Sequence, residues 1–202
     1  MPRNAAAITF LTGAAMLGAP ASFAEEARTP AAQSSAAPAA AFSEAAARRF
    51  DDWHHRCAGV TVAEGKTITQ CEVVQVARVK QGEEEVNVLT LAFAKADPNK
   101  AGKKDAGGLM LTALVPLNVY LPAGFGVDAD GKQVADLVYR NCNQAGCFAE
   151  KRLAPAAITA LSKGANGAAR LKLMNGQNVA ITFSLKGLTA ALVELDKPVA
   201  AE

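Results

Sequence analysis

The sequence predicts an all-β domain of the β-sandwich kind, with one or two short helices near its C-terminus. Three observations carry that prediction. Short apolar runs recur from Trp53 to Leu185, separated by turn signals about every 8–12 residues. No strand–helix–strand alternation accompanies them, which disfavours a parallel α/β sheet. Finally, cysteines at 57, 71, 142 and 147 follow an N-terminus built like an export signal, and an exported domain is where disulfides form and persist.

The export signal is expected over residues 1–24. Arg3 gives a positive start, Ala5 to Ala19 form an apolar run, and Ser22-Phe23-Ala24 places small residues at a cleavage site. The run is too short and too rich in Gly and Ala for a transmembrane helix, which needs about 20 mostly apolar residues. No integral membrane segment is therefore expected after cleavage. Residues 25–49 (EEARTPAAQSSAAPAAAFSEAAARR) hold almost no large apolar side chain, so they read as a flexible Ala/Pro-rich linker. The folded domain is expected over 50–197, with 198–202 as a tail. Removal of 1–24 takes away one charged residue, Arg3, so the formal charge falls from +2 to +1. A near-neutral chain lacks the basic face that nucleic-acid binding requires.

Within the domain, Trp53 and Cys57 open a first strand, and Ile68 to Val79 (ITQCEVVQVARV) form a second. Ala63-Glu64-Gly65-Lys66 is the turn between them. Lys80 to Glu85 is polar and turns the chain into Val86 to Lys95, apolar on both faces as a central strand is. A polar loop over 96–108 leads to Leu109–Leu121, the most apolar run of the domain. Pro116 interrupts it, because proline has no N–H for the ladder, so the run bends or ends there. Gly124 and Asp130-Gly131 mark two turns. Leu137–Arg140 and Cys147–Leu153 flank a second hairpin-like loop. Pro155 to Lys163 is a helix, started by proline and stopped at Gly164. Ala168–Met174 and Val179–Leu185 alternate with period two about the hairpin signal Asn175-Gly176. After Gly187, Leu188 to Leu195 is a short covering helix.

Four cysteines allow three connectivities. Hairpin geometry favours Cys57 with Cys71, because directly opposed residues of antiparallel strands lie within disulfide reach. Cys142-Asn-Gln-Ala-Gly-Cys147 reads as a local structural clamp. Its alternative is a thiol-redox or chaperone-assisting loop, but catalytic dithiols are usually spaced by two residues beside a helix N-terminus, and this spacing is four. His54 and His55 are the only histidines. Neighbours on a strand face opposite ways, so they do not share one ion, and no nucleophile motif accompanies them. Asp128-Ala129-Asp130-Gly131 begins like a calcium loop, but Tyr139 stands where the twelfth-position glutamate is required. A β-turn is the expected reading. No catalytic, cofactor or metal residue is thus expected. Lys100, Lys103 and Lys104 make a small basic loop, the first place to look for an anionic partner surface.

Several of these elements fall in one order. Trp53 with Cys57, Cys71-Glu72 with Gln75, the segment from Pro116 to Gly124 (PLNVYLPAG), Arg140 and Cys142 with Gly146-Cys147, Leu161 with Gly164, and Ser184-Leu185-Lys186-Gly187 together resemble the invasion-associated locus B family of exported proteobacterial proteins. Asn118 stands where that family commonly has glycine, and Leu188 where it has phenylalanine. The resemblance implies an immunoglobulin-like sandwich in the periplasm or outside a Gram-negative cell. It ties pathogenic relatives to host-cell entry, while strand architecture, export and the absence of a catalytic constellation lead us to expect a non-enzymatic envelope or interaction protein whose partner is another envelope or host protein. The resemblance carries no catalytic residue.

Overall fold

The structure is a computed structural model, and it describes residues 47–61, 67–96 and 108–198. The proposed signal (1–24), almost all of the linker, the Ala63–Lys66 turn, Lys100, Lys103 and Lys104, and all but the first residue of the tail lie outside the described residues.

The domain is all-β, as expected. Its strands are β1 (Arg48–Phe50), β2 (Trp53–Thr61), β3 (Thr67–Gln81), β4 (Glu84–Lys95), β5 (Leu109–Val115), β6 (Phe125–Ala129), β7 (Lys132–Asn143), β8 (Gly146–Arg152), β9 (Asn166–Lys172) and β10 (Asn178–Ser184). They form one antiparallel ladder in the order β1-β2-β3-β4-β5-β8-β7-β6-β9-β10. Its far end folds back, so that Ser184 at the end of β10 is hydrogen-bonded to side chains of β2 and β3. Helix α1 (Pro155–Lys163) connects β8 to β9, and α2 (Leu188–Asp196) follows β10.

Period-two patterning decides which face each strand buries. Leu89, Leu91 and Phe93 of β4 point inward, as do Leu111, Ala113 and Val115 of β5 and Ala169 and Leu171 of β9. Trp53 and Phe93 meet edge to face, ring centroids 5.4 Å apart. The helices seal this single core with Ala157 and Leu161 from α1 and Leu188, Ala191, Leu192 and Leu195 from α2.

The Leu109–Leu121 run is shorter than its composition suggests. Strand β5 stops at Val115, before Pro116, where the ladder loses a donor. The chain then crosses to β6, held by Tyr120 N–H to Lys172 C=O (2.7 Å) and Met174 N–H to Asn118 C=O (2.9 Å). Asn118 has φ 73°. That left-handed backbone explains why glycine suits the position and why asparagine tolerates it. Strand β6 carries no period-two signal, because its five residues include Gly126 and sit between two turn signals. Glu84 and Glu85, read as turn, begin β4 opposite Gln81 and Lys80.

Two glycines are fixed by close approach. A Cβ on Gly146 (φ 135°) would lie 2.2 Å from the Val115 carbonyl oxygen, and one on Gly187 (φ 85°) 2.1 Å from that of Phe50. No side chain larger than hydrogen fits either contact.

Candidate interaction face

Cross-strand register builds the outward face of β2, β3, β4, β5 and β8 row by row. One row runs Arg56, Glu72, Ala94, Met110, Arg152, and the next runs Val74, Ala92, Thr112, Glu150, Val138. A third holds Thr90, Leu114 and Phe148. In the first row the small and apolar side chains stand in the middle and the charged ones at the ends, and in the second Glu150 is the charged member. The outcome is an open cleft of about 620 Å³ with a half-buried floor including Ala92, Met110, Leu114 and Phe148.

Two ion pairs rim this cleft. Arg56 Nε donates to Glu72 Oε1 at 2.7 Å, and Arg140 Nη1 donates to both Glu150 oxygens at 2.8 and 3.0 Å. Lys95, at the end of β4, donates to the Asp196 carbonyl at 3.1 Å. Partly exposed pairs of this kind contribute at most about 1 kcal/mol each to folding. Their larger effect is to hold guanidinium and carboxylate groups at the border of an apolar floor. Neither histidine lines the cleft. Exposed His54 shares the outward face, opposite Val74, and His55 faces the other way, as adjacent strand residues must.

The cysteines pair as the hairpin argument expects. Cys57 is bonded to Cys71 directly across β2 and β3, and Cys142 to Cys147 across β7 and β8. His55 lies beside the first pair, with Nε2 3.9 Å from Cys57 Sγ. Burial lowers the His55 pKa and favours the neutral ring; Glu194 opposes that shift and Arg48 adds to it. Glu194 itself receives Lys197 at 2.8 Å and Arg48, which together hold its carboxyl below the usual range.

The two aspartates of the calcium-like turn are engaged structurally. Asp128 pairs with Arg170 Nε at 2.8 Å, and this hydrogen bond raises the Arg170 pKa. Asp130 Oδ1 accepts from the N–H groups of Ala165 and Asn166 at 3.2 and 3.0 Å. The β-turn reading is the one the geometry supports: Asp130 has φ 46° and Gly131 φ 77°.

The signature residues meet in groups that explain their types. Trp53 Nε1 and Gln75 Nε2 both donate to Ser184 C=O at 3.1 Å, and Gln75 also bonds Asp52 C=O. Glu72 holds Arg56, Arg140 holds Glu150, and Gly146 lets β8 approach Val115. What the sequence did not reveal is the cleft, whose lining comes from six strands. Its only local trace is the half-buried small and apolar residues at alternate positions of β4 and β5.

The family model described as invasion associated locus B (IalB) protein matches residues 53–196. A solved structure of invasion associated protein B from Bartonella henselae superposes with a TM-score of 0.57 at 16% sequence identity, covering 74% of this chain and 93% of that one. No curated protein matches the chain.

Proposed function

The chain belongs to the invasion associated locus B family, and from that premise we propose that it is an exported, non-enzymatic protein of the periplasm or cell exterior that binds another envelope or host protein. The observation that carries this reading is the cleft on the outward sheet face. An apolar floor inside a charged border is how protein-binding patches are built, whereas a monomer leaves most of an outward sheet face polar. The two disulfides fit an oxidising compartment. Among the described residues no helix is long and apolar enough to cross a membrane. The link to invasion is extended to this chain from the name of the Bartonella henselae protein.

The reading of Cys142 and Cys147 as a redox pair gains no support. They close a two-residue hairpin turn, Cys147 is buried, and no helix begins beside them.

The test is a photo-crosslinking amino acid placed at Thr112, in the middle of the cleft, in cells fractionated after irradiation. The expected result is an extracytoplasmic protein with one dominant adduct, lost in Arg56→Glu and absent when the crosslinker sits at exposed Thr182 on β10. Cytoplasmic retention, or equal labelling from both positions, refutes the proposal. So does a hydrolase activity abolished by His54→Ala or His55→Ala.

A further inference from the structure

We propose that His55, Cys57 and Cys71 form a redox-gated site for a soft or borderline d10 cation, Cu(I) or Zn(II). Strand geometry is the basis. Cys57 and Cys71 are directly opposed, and His55 lies two residues before Cys57, on the same face of β2. One donor atom from each residue lies within 4.8 Å of the other two, and all three side chains are half-buried.

A cation bound at about 2.3 Å to sulfur and about 2.0 Å to nitrogen keeps its ligand atoms roughly 3.3–4.0 Å apart. His55 Nε2 and Cys57 Sγ are already 3.9 Å apart. The two sulfurs must separate from bonding distance to about 3.8 Å, and a His55 ring nitrogen starts within 4.8 Å of Cys71 Sγ. Two thiolates and an imidazole select Cu(I) or Zn(II) over hard cations such as Mg(II) and Ca(II). Cys142 and Cys147 provide an internal contrast. Among the described residues no histidine or carboxylate joins that pair in such a group.

The disulfide is the gate. A dithiol reductant attacks one of the two sulfurs through its thiolate, forming a mixed disulfide and releasing the other cysteine. The second thiol of the reductant then displaces the remaining cysteine. The reductant leaves as a disulfide, and two electrons and two protons end on Cys57 and Cys71. Cation binding displaces those two protons. The oxidised pair has no thiolate to offer and does not bind.

The experiment uses the full chain with Cys142→Ser and Cys147→Ser, so that only one cysteine pair remains. Zn(II) and Cu(I) are each titrated against a chromophoric competitor, with the protein either oxidised or reduced by a phosphine. Emission from Trp53, the single tryptophan, reports folding in every sample. Expected are one equivalent bound by the reduced protein, none by the oxidised protein, and at least about tenfold weaker binding in reduced His55→Gln. Binding of Cu(I) alone assigns a three-coordinate centre, and binding of both cations assigns one that accepts a further ligand. No binding after reduction, equal binding in both redox states, or an affinity unchanged by His55→Gln overturns the proposal. A reduced chain that binds only after losing its buried-Trp53 emission overturns it as well.

Discussion

The indole N–H of Trp53 and the carbonyl oxygen of Ser184, 131 positions apart in the chain, are hydrogen-bonded at 3.1 Å. Gln75 donates to the same oxygen from β3, so one carbonyl at the end of β10 fastens the first long strands of the ladder to its last. The indole is fully buried and therefore contributes both packing and polar closure. Trp53→Phe should cost about 1–3 kcal/mol, since it leaves much of the ring's volume filled but removes a buried donor. Trp53→Ala should cost about 3–5 kcal/mol. Urea denaturation followed by far-UV circular dichroism checks both, and a Phe variant as stable as the parent refutes the closure argument.

Gln75 is the one buried polar side chain among the described residues. Its amide bonds the carbonyls of Asp52 and Ser184. Gln75→Leu keeps the volume, leaves the Asp52 carbonyl without this donor and leaves Ser184 C=O with Trp53 alone, so a loss of about 1–3 kcal/mol is expected. A neutral or stabilising result would show that water replaces the amide.

The two disulfides differ in the length of chain they close, with sequence separations of 14 and 5. In the chain-entropy account the first stabilises the fold by about 3 kcal/mol and the second by about 2 kcal/mol. The double Ser variant at Cys57 and Cys71 should therefore melt below the one at Cys142 and Cys147. Calorimetry of both under oxidising conditions decides the order, and a reversed order contradicts it.

Gly146 and Gly82 both have positive φ, yet their surroundings differ. A Cβ on Gly146 meets the Val115 carbonyl, whereas one on Gly82 meets nothing within 4 Å. Gly82→Ala should cost about 1–2 kcal/mol from backbone conformation alone. Gly146→Ala should cost clearly more, because β8 must leave β5. Equal denaturation midpoints would argue against that close contact.

Burial pushes the Tyr139 pKa up to about 12, and its hydroxyl oxygen is buried without a hydrogen-bond partner. Above pH 10 the unfolded chain loses this proton before the folded one does, so the folded state binds more protons and stability falls as pH rises from 10 to about 12. Tyr139→Phe should remove that part of the alkaline loss and be neutral or stabilising by up to about 1 kcal/mol near neutrality. His55 acts at the other end of the scale. Its lowered pKa means that the unfolded chain binds the proton first as pH drops below about 6.5, so stability declines there. His55→Gln should flatten that decline, even though Glu194 and Arg48 pull on the imidazole in opposite senses. Stability curves from pH 5 to 11.5 test both residues, and profiles unchanged by the substitutions refute the assignments.

Local chemistry was enough to place most elements. Pro155 and Gly164 bound α1 over the predicted residues, Asn175-Gly176 joins β9 to β10, and Pro116 ends β5. Each effect acts within a few residues, through a missing N–H, a turn angle or a period of two. Strand β6 and the early start of β7 escaped because Gly126, Asp128 and Asp130 dilute the apolar alternation. Their burial instead depends on β9 and on the Arg170–Asp128 pair across the sheet.

By itself the sequence determined the fold class and the family signature and favoured the two cysteine pairings, since all three rest on spacing along the chain and on the steric demands of single residues. Only the tertiary structure decided that ten strands form one ladder whose ends meet at Ser184. It also brought small and apolar side chains of β4, β5 and β8 onto the floor of one cleft. Those relationships come from register between strands far apart in the chain, and register is fixed by how the whole core packs.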